Sequence, residues 1–90
     1  MTSNEAKSVI IEIFQEIFPE VIFNKINPDR PLREEVDMDS YDIYRIMVFL
    51  AQKTGVTIPD SKIPELKSIN AIIKYIIGQP THRLPQSPDQ

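Results

Sequence analysis

The chain has 90 residues, 41 % of them hydrophobic and 26 % charged, with a net charge of −3 and no cysteine; this allows one domain with one modest core, too small to enclose a deep active site as well. Disulfides, thiolate catalysis and cysteine zinc sites are excluded, and the single histidine, His82, stands in a Pro-rich stretch without partner ligands. An acidic balance offers nucleic acid no basic face, no apolar run is long enough to span a membrane, and Met1-Thr2-Ser3-Asn4-Glu5 lacks the basic start and apolar stretch of a secretory signal, so a soluble, cytoplasmic monomer that binds neither nucleic acid nor membrane is expected.

Residues 5–18 are expected to form the first helix, because Ile10, Ile13, Phe14 and Ile17 fall at the spacing that lines one helical face. Thr2 and Glu5 fit a capping box at its start, and Pro19 prevents its continuation. The pattern then dissolves. Residues 24–39 include Asn27-Pro28-Asp29 and Arg30-Pro31, which favour turns and extended backbone, so a long loop pinned by Leu32 and Val36 is expected. Between Asp29 and Arg45 stand six acids and three bases, enough to account for the whole net charge. By itself such a run reads as a solvated acidic loop.

A second helix is expected over residues 41–54, with Asp39 and Ser40 as N-cap side chains and Gly55 as the left-handed residue that ends it. It is apolar almost all round: Tyr41, Ile43, Tyr44, Ile46, Met47, Val48, Phe49 and Leu50 leave only Asp42, Arg45, Gln52 and Lys53 clearly polar. One helix cannot be wrapped on every side in so small a domain, so part of this surface should face solvent or a partner, while simple core packing accounts for most of it. Val56 to Asp60 reads as an extended connection, and residues 61–66 as a short helical turn interrupted by Pro64. Ser68 caps a last helix ending at Ile77, in which Ile69, Ile72, Ile73 and Ile76 repeat the amphipathic spacing before Gly78. Residues 79–90 carry three prolines and only Leu84 as an apolar anchor, which predicts a disordered tail after a domain of residues 1–78. The expected architecture is all-α: an irregular four-helix bundle of three main helices and one short one.

Among candidate sites there is no Ser-His-Asp set, glycine-rich phosphate loop or metal-ligand spacing. What stands out is Asp37-Met38-Asp39-Ser40-Tyr41-Asp42, a hydroxyl at a helix start beside an acidic loop. Taken alone, the hexapeptide reads first as a helix cap.

From Asp39 to Gly78 the chain resembles an acyl carrier protein without needing a gap. The family's Asp-Ser-Leu motif is matched by Asp39, Ser40 and Tyr41; the aliphatic helix ending near Gly55, the Ile58-Pro59-Asp60 step, the short third helix and the closing Ala71 to Tyr75-Ile76 segment follow in order. The first helix and Leu32 to Val36 fit more loosely. The resemblance implies a carrier and not an enzyme. Ser40 would accept a covalent 4'-phosphopantetheine arm from coenzyme A through a phosphopantetheinyl transferase, and acyl groups would ride on the arm as thioesters between acyl-loading, acyl-transfer and synthase enzymes of fatty acid, polyketide or related pathways. The reactive thiol would then belong to the cofactor, in keeping with a chain that has no cysteine. The phosphodiester would sit at a helix N-terminus, whose dipole favours negative charge, while the carboxylates of Asp39 and Asp42 would repel it and turn the arm outward.

Departures from the family pattern carry expectations of their own. Asp37 stands where glycine is frequent, and Tyr41 where leucine is usual. The second helix, commonly acidic in the family, has Arg45 and Lys53 against Asp42 alone. Partner docking through Asp42, Ile43, Arg45, Met47 and neighbouring apolar surface is therefore expected to depend only modestly on salt. Leu50, Ile58, Ile63, Leu66, Ile72 and Tyr75 are the expected lining of an acyl pocket, in which Ile63 and Ile72 replace frequently smaller residues; this predicts short or externally displayed cargo, while filling the core is the equally good plain account of both. Two rival readings remain, a cofactor-free interaction module of the same fold and an aminoacyl carrier of the D-alanyl type.

Overall fold

Three amphipathic helices supply most of the core, and their ends follow from local side-chain chemistry. The computed structural model describes residues 1–79, so the tail expected to be disordered lies, from residue 80 onward, outside the described residues. Helix α1 spans Ser3–Ile17 and opens with the expected capping box between Thr2 and Glu5, in which the Thr2 Oγ1 accepts from the Glu5 N–H at 3.1 Å and a Glu5 carboxylate oxygen accepts from the Thr2 N–H at 2.8 Å. Its buried stripe, Ala6, Val9, Ile10, Ile13 and Phe14, faces α3 and α4. Phe14 also meets Phe23 edge to face, with ring centroids 5.5 Å apart.

The segment between α1 and the next long helix is more ordered than the expected loop. Phe23–Lys25 forms a 3-10 turn and Leu32–Glu35 a one-turn helix, α2. Pro31 sets the entry to α2 at φ −57°, and Leu32 and Val36 are both buried, as expected of the two pins. Arg30 ties its guanidinium to Glu34 at 2.7 Å and to Glu35 at 3.0 Å, while Glu35 also accepts from the Asn27 N–H at 2.8 Å. Two backbone bonds then fasten the segment to the far end of the chain: Leu32 N–H to the Lys67 carbonyl at 2.7 Å, and Asn70 N–H to the Pro28 carbonyl at 3.0 Å. These long-range ties turn a turn-rich sequence into a fixed strap.

Helix α3 spans Ser40–Thr54 and ends at Gly55, whose φ of 75° is the left-handed conformation the sequence predicts. Just before that end Thr54 is fully buried; its hydroxyl donates to the Leu50 carbonyl at 2.6 Å and accepts from the Val56 N–H at 3.1 Å. The short helix expected over residues 61–66 is a 3-10 stretch, Asp60–Glu65, because Pro64 has no N–H to continue an α ladder. Helix α4, Ile69–Ile77, starts at Ser68, whose Oγ accepts from the Ala71 N–H at 3.1 Å, and buries Ile69, Ile72, Ile73 and Ile76. Gly78 follows it at φ −86°, so this helix ends without the left-handed glycine that closes α3. The result is the expected all-α irregular bundle of three long helices, with α2 as an additional short one. Among the described residues no helix is long and apolar enough to cross a membrane.

Candidate functional site at the start of α3

The first turn of α3 is built by a reciprocal cap. The Asp39 Oδ1 accepts from the Asp42 N–H at 3.1 Å, and the Asp42 Oδ2 accepts from the Asp39 N–H at 3.3 Å. Asp42 also lies 3.5 Å from the Arg45 guanidinium. Ser40, expected to share the capping, is instead the first helical residue. With the cap supplied by Asp39, its side chain is exposed and its hydroxyl has no hydrogen-bond partner among the described residues. The local sequence therefore produces a free nucleophilic oxygen on a rigid turn, at a helix end where backbone N–H groups and the dipole favour an anion.

Beside Ser40 opens a cleft of about 510 Å³, lined by α2 and its leading proline, the first turn of α3, and the 3-10 stretch with the residues after it. Ile43, Ile63, Pro64 and Leu66 give it an apolar side, while Arg33, Glu34 and Lys67 supply its charges. Of the six residues expected to line an acyl pocket, Ile63 and Leu66 are here. Leu50 and Ile72 are fully buried in the helical core, Ile58 is buried with them, and Tyr75 packs against the core from its edge. Sequence periodicity cannot separate those two environments, because core and cleft both select apolar side chains. Pro31, Arg33 and Lys67 gave no local signal: they are distant in sequence and meet through the Leu32–Lys67 backbone bond.

The expected partner-facing group divides as well. Ile43 and Arg45 are half-buried, but Met47 is only 5 % exposed and belongs to the core, a correction to its expected surface role. Its position turns it toward the bundle, and the outer face instead carries Tyr41, Tyr44 and Val48, at 68 %, 54 % and 38 % exposure. These three follow helical spacing along one side. Arg45 lies 5.9 Å from the centre of the Tyr41 ring, within cation–π range.

Residues 8–76 match the family model described as a phosphopantetheine attachment site, so the match runs from α1 through α4. An acyl carrier protein of Thermobifida fusca is 33 % identical over 52 residues, covering 58 % of this chain and 66 % of that protein. One from Helicobacter hepaticus is 25 % identical over 75 residues, covering 83 % and 92 %; a mitochondrial acyl carrier protein of Saccharomyces cerevisiae is 25 % identical over 71, covering 79 % of this chain and 57 % of the relative. Members of this family are carriers and not enzymes, and the group they carry is a covalent 4'-phosphopantetheine. An exposed, unbonded serine hydroxyl on a capped helix start, beside a cleft with an apolar side, fits such a group. With fold, site and family match in agreement, the chain belongs to the acyl carrier protein family.

Proposed function

We propose that Ser40 is the attachment residue and that the protein carries acyl groups for fatty acid, polyketide or related acyl-transfer enzymes. The observation that carries this reading is the free Ser40 hydroxyl, held outward on a turn whose cap is supplied by another residue. In the loading step the Ser40 Oγ attacks the phosphorus of coenzyme A that bears the pantetheine. A new P–O bond forms, the pyrophosphate P–O bond breaks, adenosine 3',5'-bisphosphate leaves, and the hydroxyl proton passes to the transferase or to solvent. The bound group supplies a thiol at the end of a flexible arm, on which acyl cargo travels as a thioester.

The chain's own part is to present and orient. Asp39 and Asp42 fix the first turn. Partner enzymes meet α3 through Tyr41, Tyr44 and Val48, with Asp42, Ile43 and Arg45 at the border, a surface of little net charge; their binding should weaken only modestly with salt. Cargo is short or displayed outside the bundle, because Leu50 and Ile72 already fill the space between the helices and Ile63 narrows the cleft. A long-chain acyl form that melts well above the free-thiol form would defeat that statement about cargo.

Intact mass after incubation with coenzyme A, magnesium and a broad-specificity phosphopantetheinyl transferase tests the attachment. One added arm is expected on the wild type and none on Ser40→Ala. A folded wild-type protein that two such transferases leave unmodified would instead be a cofactor-free interaction module.

A further inference from the structure

The charges facing the Ser40 cleft differ from what the local sequence implies. Around Ser40 the chain is acidic, but Asp39 and Asp42 each commit one oxygen to the reciprocal cap and the other oxygen of Asp42 faces Arg45. Glu34, the one carboxylate in the lining, is paired with Arg30 at 2.7 Å. The remaining charged groups of the lining are Arg33 and Lys67, both exposed and both without an ion-pair partner among the described residues. The cleft therefore presents two uncompensated cations, brought together across the bundle by the 2.7 Å bond from Leu32 N–H to the Lys67 carbonyl. Next to them lie Ile43 and Ile63.

We propose that Arg33 and Lys67 hold the phosphodiester formed at Ser40 and thereby lay the first part of the arm over Ile43 and Ile63. The chemistry matches in kind: pantetheine carries an anionic phosphate next to the serine and a dimethyl-substituted carbon beyond it, and the cleft that Ser40 lines holds both cations and methyl-bearing side chains. Arg33 supplies planar donors suited to phosphate oxygens, and Lys67 a point charge on a flexible stem. Both are exposed, so their hold is screened by salt and the arm can leave the cleft to reach a partner. Asp39 and Asp42 keep their charge beside Ser40, so the two cations act against the repulsion expected from those carboxylates.

This inference rests on attachment at Ser40, and the test separates the two. Holo protein is prepared with excess transferase and loading is verified by intact mass for the wild type, Arg33→Gln/Lys67→Gln and Arg33→Lys; absence of loading would count against the attachment alone. NMR of the loaded proteins then reads contacts between the dimethyl protons of the arm and the methyl groups of Ile43 and Ile63. In the wild type these contacts are expected at low salt, fading as salt is raised. The double variant is expected to lose them and to show arm resonances like those of free phosphopantetheine, and Arg33→Lys to retain them in part. Wild-type arm resonances identical to those of the free compound would overturn the proposal. So would contacts that survive in the double variant, and in that case slower loading of the variant would assign the two cations to coenzyme A delivery.

Discussion

The three long helices and the strap between α1 and α3 are held in different ways. The helices bury continuous apolar stripes, such as Ile10, Ile13 and Phe14 of α1 or Ile69, Ile72 and Ile76 of α4. The strap, which ends beside Ser40, buries Phe18, Ile26, Leu32, Val36 and Met38 and otherwise depends on polar ties: Arg30 to Glu34 and Glu35, Glu35 to the Asn27 N–H, and Asn70 Nδ2 to Asp29 at 2.6 Å. Apolar burial gives the bundle its stability. Polar ties at the surface position the cleft wall with a much smaller free-energy reserve, so the wall can yield without unfolding the body.

Core substitutions should break this comparison at the body end. Leu50→Ala removes a fully buried side chain at the meeting of the helices and is expected to cost about 2–5 kcal/mol in denaturant unfolding. Because the loss is global, amide exchange should accelerate in α1, α3 and α4 together. Thr54→Val keeps the side-chain shape but leaves the buried Val56 N–H without its acceptor, at a cost of about 1–3 kcal/mol. A neutral result for Thr54→Val in the same unfolding measurement would show that the end of α3 relaxes to satisfy that group.

The contrast also explains what could be read from the sequence. The long helices were legible because periodicity, a capping pair and terminal residues all agree locally: Thr2 with Glu5, Asp39 before α3, Gly55 after it, and Ser68 before α4. The strap was legible only at its pins, Leu32 and Val36. Its fastening depends on long-range bonds whose partners, Lys67 and Asn70, have no local relation to Leu32 or Pro28. At the site, the exposed Ser40 could be anticipated, but the division of labour with Asp39 could not, since either side chain is a good cap. Met47 was misplaced for a related reason: on a helix apolar on nearly every side, composition does not say which side faces the core, and only the packing of α1 against α3 decides it.

At the site end, Asp39→Ala should cost about 1 kcal/mol through loss of the α3 cap. Its signature should be local. Amide exchange at Asp42 and Ile43, whose N–H groups bond to Asp39, should rise roughly fivefold, the factor that corresponds to about 1 kcal/mol, while α4 remains unaffected. Asp39→Asn, which keeps an acceptor oxygen, should retain most of the protection. Equal acceleration in all helices would mean that the first turn of α3 unfolds only with the body, which would erase the proposed difference between the regions.

The smallest effect is expected where the body itself uses surface charge. Lys53 of α3 reaches Glu16 at 3.2 Å and Glu12 at 3.6 Å on α1. The hydrogen bond to Glu16 is the largest cause of a lysine pKa raised above its ordinary value of 10.5, with the charges of Glu16 and Glu12 adding to it. A pKa raised in the folded state means that the folded protein holds this proton more tightly than the unfolded chain does. The contribution is therefore fully present below 10.5 and is lost as pH rises through the higher folded value. Lys53→Met should thus be slightly less stable than the wild type at neutral pH, and the gap should close only in strongly alkaline solution and narrow with added salt. A gap that persists unchanged above that alkaline range would trace the effect of Lys53 to its aliphatic stem packed between α1 and α3, making even this surface contact part of the apolar body.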